Sequence, residues 1–150
     1  MRARAGGALL VLLLALPGCG GGKSSGVTNP PVSGNTHTES EPNDATPQLL
    51  GTLASTDFVI GGTAASATDV DLYRLTLPSI SNIHVTLAWS GSADLGVALL
   101  DTTLALFHQQ DGAGNPEQMT HSNFPAGEWV LRVNSHTAAA TAYTLTIGKH

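Results

Sequence analysis

The most regular stretch of the sequence reads Ile83-His84-Val85-Thr86-Leu87-Ala88-Trp89. Its large apolar residues recur at every second position, and the positions between them carry a histidine, a threonine and an alanine. Successive side chains of a β-strand point to opposite faces, so this period of two predicts a strand with one face in the core and the other in water. The stretch therefore indicates an antiparallel sheet that covers a core on one side.

Similar short runs follow one another along the chain, with Gly, Pro, Asn or Asp at most of the joints, and no stretch shows sustained helical periodicity. These features predict an all-β fold, namely an antiparallel β-sandwich of the jelly-roll type with about eight strands. A turn or short helical piece is expected over residues 45–50, because Asp44 could cap it. The predicted strands cover residues 58–63, 70–77, 83–89, 95–100, 104–108, 117–121, 129–134 and 143–147.

The N-terminus has the order of an export signal. Arg2 and Arg4 precede an apolar run over residues 8–16, which is too short to cross a bilayer as a helix. The run ends in Leu16-Pro17-Gly18-Cys19, which resembles the lipobox of bacterial lipoproteins. We therefore expect residues 1–18 to be a lipoprotein signal peptide and Cys19 to carry the lipid. The alternative is an ordinary signal peptide, with the cysteine near the cut by chance or as a free structural thiol.

Residues 19–38 separate this signal from the rest of the chain. They are mainly Gly, Ser, Thr, Asn and Pro, with Lys23 as the one charged residue. Such a composition buries too little apolar surface to fold, which predicts a flexible tether between the lipid and a domain over residues 39–150. This organisation predicts a protein held at the cell envelope by its lipid, on the periplasmic side or the surface, with the outer membrane as the default location.

The charge of the chain limits its partners. The sequence of 150 residues has a net charge of −5, and the part after residue 18 keeps four basic residues against eleven acidic ones, a net charge of −7. That sign argues against nucleic acid and against an anionic lipid surface as partners, and it suits a cation as ligand. Because Cys19 is the only cysteine, the chain can form no internal disulfide.

Five motifs follow one another in the chain: Glu41-Pro42-Asn43-Asp44, Asp69-Val70-Asp71-Leu72-Tyr73-Arg74-Leu75, Asp94-Leu95-Gly96-Val97-Ala98-Leu99-Leu100-Asp101, Ala126-Gly127-Glu128-Trp129-Val130-Leu131-Arg132-Val133 and Tyr143-Thr144-Leu145-Thr146-Ile147. In this order they resemble the bacterial pre-peptidase C-terminal domain, over residues 39–148. The resemblance implies a β-sandwich of the kind appended to secreted proteases, with a non-catalytic role such as substrate attachment, secretion or stabilisation. The collagen-binding modules of clostridial collagenases are similar in fold and carry calcium where the chain enters the domain.

Acidic and amide side chains gather at the start of this region. Residues 39–44 offer four oxygen-bearing side chains besides Ser40, and Ca²⁺ takes six to eight oxygens at about 2.3–2.6 Å. Asp69 and Asp71 lie two apart at the start of a predicted strand, so both carboxylates point to one side and repel unless a cation or water separates them. The alternative is a domain-start turn with solvated acids. Carried over from the collagen-binding modules, the resemblance nominates as calcium ligands Glu39, Glu41, Asn43, Asp44, Asp69 and Asp71.

Catalysis has little support in the sequence. No two of the six histidines have a tight metal-ligand spacing, and residues 39–150 contain no Gly-x-Ser-x-Gly turn. We therefore expect a non-catalytic module that binds an extracytoplasmic protein or polysaccharide. A structural envelope lipoprotein without a specific ligand is the alternative, and an enzyme would need a deep pocket with perturbed titrating groups. A binding role predicts an exposed apolar patch, for which the sequence offers Leu72, Phe124 and Val130.

Overall fold

The computed structural model describes residues 35–150, so the predicted signal peptide, Cys19 and the predicted tether up to residue 34 lie outside the described residues. Within that range the chain forms ten β-strands and contains no helix long and apolar enough to cross a membrane. The all-β prediction is confirmed. The strands are β1 (Asn35–Thr38), β2 (Gln48–Thr52), β3 (Phe58–Ala64), β4 (Val70–Leu77), β5 (Ser81–Trp89), β6 (Leu95–Leu100), β7 (Leu106–Gln110), β8 (Glu117–Phe124), β9 (Gly127–Ser135) and β10 (Thr141–Lys149).

The strands form two five-stranded sheets. Sheet A has the order β1-β3-β10-β5-β8, and sheet B has the order β2-β4-β9-β6-β7. All pairs among β3–β10 are antiparallel, and their orders, β3-β10-β5-β8 and β4-β9-β6-β7, are those of a jelly roll. The predicted antiparallel sandwich is therefore confirmed for these eight strands, which correspond to the eight predicted from the sequence.

The other two strands differ from the sequence-based expectation. β1 lies in the segment predicted as tether, and β2 overlaps the predicted turn or helical piece at 45–50. Each adds in parallel to the edge of a sheet, β1 to β3 and β2 to β4, so both sheets are mixed. β1 joins its sheet through backbone hydrogen bonds, which residues of any polarity can make, and none of its side chains is buried, so its sequence carries no apolar pattern. The ordered domain thus includes four residues before Glu39.

The core lies between the two sheets and follows the alternation. Ile83, Val85 and Leu87 of β5 are completely buried, whereas His84 and Thr86 between them are half-buried. The same inner face includes Leu145 and Ile147 of β10. The prediction for residues 83–89 and 143–147 therefore holds at the level of single side chains.

The three apolar residues proposed as an exposed patch do not form one. Phe124 belongs to the main core, and Leu72 and Val130 belong to a second buried cluster with Ala98 and Leu100. Leu72 and Val130 lie beside Arg132 and Arg74 on the neighbouring strands. Long arginine stems can cover apolar neighbours of this kind, which alternation alone does not reveal. The candidate patch on these residues was wrong.

The strand register defines two ends of the sandwich. Asn35 pairs with Phe58, and Thr38 pairs with Gly61, so β1 runs from one end towards the other. The end at which β1 begins is called the Asn35 end, and it includes the loops over residues 53–57, 78–80, 101–105 and 125–126. We call the second the Glu39 end, which includes the loops over residues 39–47, 65–69, 90–94, 111–116 and 136–140.

Candidate metal centre

The acidic residues predicted as ligands meet at the Glu39 end, where the chain passes from sheet A to sheet B. The backbone N–H of Glu39 donates to the Gly61 carbonyl at 2.9 Å, which continues the pairing of β1 with β3 by one residue. The N–H of Thr63 donates to Glu39 Oε2 at 2.6 Å and holds the carboxylate over β3. Alternation along β4 places Asp71 on the inner face with Tyr73 and Leu75. The two sheets thus supply one carboxylate each.

Three carboxylates converge at this point. One oxygen each from Glu39, Glu41 and Asp71 lies within 4.8 Å of the other two. Oxygens at about 2.3–2.6 Å from one Ca²⁺ can be separated by up to about twice that distance, so one ion could contact all three. Among the described residues this is the one group of three or more His, Cys, Asp or Glu side chains with such spacing.

Asn43 borders these carboxylates and has no hydrogen-bond partner for its side chain. It is only 1% exposed, and both its Oδ1 and its Nδ2 are buried without a partner. Its own backbone N–H donates to Glu41 Oε2 at 2.9 Å, which keeps it beside the acidic cluster. Asp71 Oδ1 is also buried without a partner. Buried polar atoms usually have a partner, so the Asn43 and Asp71 oxygens are available to contact a further group.

Two tyrosines support the cluster from the core. The Tyr143 hydroxyl donates to Asp71 Oδ2 at 2.7 Å and lies 2.5 Å from the Tyr73 hydroxyl. Glu39 Oε1 lies 3.4 Å and 3.5 Å from the hydroxyls of Tyr73 and Tyr143. The Tyr143 ring crosses β3 at Gly62, where any Cβ would collide with the ring and its hydroxyl. Gly62 is therefore needed for the ring to reach Asp71.

Burial changes the acid–base properties of this group. It raises the pKa of the Asp71 carboxyl to about 9, with a further contribution from the neighbouring Glu39 carboxyl. Burial also raises the pKa of Tyr73 and of Tyr143. Without a cation, the cluster favours a proton on Asp71 at neutral pH.

The other two predicted ligands, Asp44 and Asp69, are not part of this group of three carboxylates. Asp44 Oδ1 accepts from the Val70 N–H at 3.4 Å. Asp69 Oδ2 accepts from the Ala65 N–H and closes the turn between β3 and β4. The structure thus brings together Glu39, Glu41, Asn43 and Asp71, and it places Asp44 and Asp69 in backbone hydrogen bonds. Sequence reasoning assigned Tyr73 and Tyr143 to the core and missed their hydroxyls, although a buried tyrosine hydroxyl usually has a polar partner.

No family model matches the chain, and no curated protein matches it in sequence. Solved structures do match. The pre-peptidase C-terminal domain of the collagenase from Bacillus anthracis aligns with a TM-score of 0.57 and 16% identity, over 73% of this chain and 99% of that domain. The chain has the fold of a pre-peptidase C-terminal domain. The resemblance inferred from the five motifs is confirmed at the level of the fold.

Two other structures are similar in shape. The Yersinia pseudotuberculosis-derived mitogen aligns with a TM-score of 0.51 and 12% identity, over 65% of this chain and 88% of the mitogen. PliG of Aeromonas hydrophila, a periplasmic inhibitor of g-type lysozyme, aligns with a TM-score of 0.48 and 12% identity, over 77% of this chain and 96% of PliG. A collagenase domain and a mitogen thus share this sandwich fold, so the fold alone does not define the activity of this chain.

Proposed function

We propose that this protein is a lipid-anchored envelope protein whose β-sandwich holds calcium and acts as a non-catalytic binding or accessory module. Its partner would be an extracytoplasmic protein or polysaccharide. The observation that supports the proposal most strongly is the convergence of Glu39, Glu41 and Asp71 beside the unpartnered side chain of Asn43.

The donor set fits calcium better than a transition metal, because every group in it binds through oxygen. Glu39, Glu41 and Asp71 would supply carboxylate oxygens, and Asn43 would supply its Oδ1. Bound calcium would supply positive charge, which offsets the repulsion among the carboxylates. These residues come from the β1–β2 connection and from β4, so the ion would tie the start of the domain to sheet B.

The proposed anchor rests on the sequence around Cys19, which lies outside the described residues. The lipobox-like Leu16-Pro17-Gly18-Cys19 and the basic, then apolar, residues before it support lipidation. Placement in the cell envelope, with the outer membrane as default, follows from that anchor.

The described surface does not fit a purely structural lipoprotein. That alternative predicts a uniformly polar surface, whereas the described surface exposes Leu49, Ile80, Leu104, Leu106 and Phe107. The groups with strongly raised pKa, Asp71, Tyr73 and Tyr143, all belong to the candidate metal centre and lie in the interior. Because a substrate cannot easily reach buried groups, these residues fit an ion with a structural role better than an acid–base pair used in catalysis.

The proposal is tested by thermal unfolding of the mature chain carrying Cys19→Ser, in calcium and in chelator. A ligand that binds only the folded state at a hundred times its dissociation constant adds about 2.7 kcal/mol of stability, which raises the Tm by roughly 10 °C for a domain of this size. Glu41→Gln should abolish the rise. Glu128→Gln removes an exposed carboxylate outside the cluster and should keep it. A Tm that calcium leaves unchanged would overturn the calcium proposal.

A further inference from the structure

The exposed apolar side chains are concentrated at one end of the sandwich. Of the five large apolar residues that the described surface exposes, four lie at or next to the Asn35 end. Ile80, in the loop between β4 and β5, is 67% exposed, and Leu104, in the loop between β6 and β7, is 44% exposed. Leu106 and Phe107 open β7, where Leu106 pairs with Leu100 at the same end of β6. Clustered exposed apolar residues mark an interaction surface.

Leu104 has a conformation that stability does not explain. Its φ is +66°, in the left-handed region where a leucine is strained and where Gly or Asn is the usual residue. Asp101 fixes this loop, because its Oδ1 accepts from the Thr103 N–H at 2.8 Å and from the Ala105 N–H at 3.0 Å. The loop therefore holds an apolar side chain in water at a local cost. Such strain points to a role for the exposed side chain.

Phe107 is equally well fixed. Its ring is 50% exposed, yet it makes edge-to-face contacts with Phe124 and Trp129, each at 5.2 Å between ring centroids. These contacts hold the ring in one orientation at low cost in conformational entropy. We call the exposed apolar side chains of Ile80, Leu104 and Phe107 the apolar rim of the Asn35 end.

The chain enters the domain at the same end as this rim. β1 begins at Asn35, whose N–H donates to the Asp57 carbonyl at 2.9 Å, so the 34 residues before it join the domain at the Asn35 end. We propose that the Asn35 end rests on the bilayer that anchors the chain, with Ile80, Leu104 and Phe107 inserted at the level of the lipid headgroups. This inference rests on the proposed lipid on Cys19.

The charges at the Asn35 end define the kind of contact. Three acidic residues lie at or near this end, namely Asp57, Asp101 and Glu128, and they outnumber the one basic residue there, Lys149. Attraction to anionic lipid cannot therefore drive the contact, and apolar insertion into a neutral interface must do so. Docking in this orientation places the candidate metal centre at the opposite end, facing away from the membrane and towards possible partners.

The test uses the full chain, expressed as the precursor, extracted from membranes and reconstituted into phosphatidylcholine vesicles. Two single-site variants carry an environment-sensitive fluorophore on an introduced cysteine. Ile80→Cys places the label at the Asn35 end, and Ala113→Cys places it on an exposed loop at the Glu39 end as the matched control. Mass spectrometry of each sample reports separately whether Cys19 carries lipid.

The inference predicts a blue shift at position 80 and quenching there by lipids that carry a nitroxide near the headgroup, with neither effect at position 113. Equal emission from both labels on a lipidated chain would overturn the membrane contact and leave the proposed anchor intact. An unlipidated Cys19 would instead overturn the anchor. Quenching that requires anionic lipid, or a blue shift at position 80 that grows with protein concentration before vesicles are added, would also contradict the inference. The concentration-dependent blue shift would indicate that the rim binds a second copy of the chain.

Discussion

At the scale of single residues, the contacts of Tyr143 define the candidate metal centre. Its hydroxyl links Asp71 of sheet B to Glu39 of the β1–β2 connection, and its ring occupies the space above Gly62. Alternation predicts correctly that Tyr143 points inwards, but it does not predict which polar group the hydroxyl meets. That information depends on the pairing of β10 with β3 and on the sandwich that brings β4 opposite, neither of which is local in sequence.

Gly62→Ala should destabilise the protein by about 1–3 kcal/mol, because the added methyl group displaces the Tyr143 ring in a closely packed core. Gly61→Ala is the matched control, since a Cβ on Gly61 meets nothing within 4 Å. The measurement is the urea midpoint of each variant at unchanged m-value. Equal urea midpoints for the two variants would show that the position of the Tyr143 ring does not require a glycine at residue 62.

In chelator, Asp71 should make stability depend on pH. The folded state raises its pKa from 3.8 to about 9, so the folded state binds this proton more tightly than the unfolded chain does. Its contribution to stability is therefore fully present below pH 3.8 and is lost as pH rises towards 9. The urea midpoint in chelator should fall over this range, and Asp71→Asn should remove that part of the slope. If Asp71→Asn retains the full dependence of the urea midpoint on pH, that dependence comes from other titrating groups.

At the scale of the elements, the sequence predicts eight of the ten strands, and the reasons for success and failure are specific. The strand at 83–89 alternates without interruption, and so does the strand at 143–147. β2 reads Gln48-Leu49-Leu50-Gly51-Thr52, with a bulge between Leu49 and Gly51 that breaks its alternation. β1 carries no apolar residue, and its backbone pairing with β3 leaves no pattern in the sequence.

The loop before β7 offers a test at the same scale. The sequence predicts a strand from residue 104, but β7 begins at Leu106, because Leu104 is in the left-handed region. Leu104→Asn should therefore stabilise the protein by about 0.5–1 kcal/mol through relief of strain. Leu106→Asn, within the strand, should give no such gain. The free energy of unfolding of both variants provides the check, and a destabilised Leu104→Asn would indicate that this side chain contributes to packing.

At the scale of the whole molecule, the two ends of the sandwich have different chemistry. The Asn35 end carries the apolar rim, and the Glu39 end carries the acidic cluster, with an open groove of about 470 Å³ bordering Glu39 and Tyr143. The sequence predicts the acidic cluster in part, because the motifs around Glu41 and Asp71 resemble those of a known domain. It does not predict that Asp44 and Asp69 accept backbone hydrogen bonds, because their partners, Val70 and Ala65, are brought close by the fold around the turn between β3 and β4.

The central claim is a calcium ion held by Glu39, Glu41, Asn43 and Asp71, and the bound metal can be counted directly. The mature chain with Cys19→Ser is dialysed to equilibrium against micromolar to millimolar calcium, and the metal content is measured for this chain and for Asp71→Asn. We predict saturable binding of about one calcium per chain, as for a single oxygen-ligand site, and its loss in the variant. No bound calcium, or equal binding in both chains, would contradict the account.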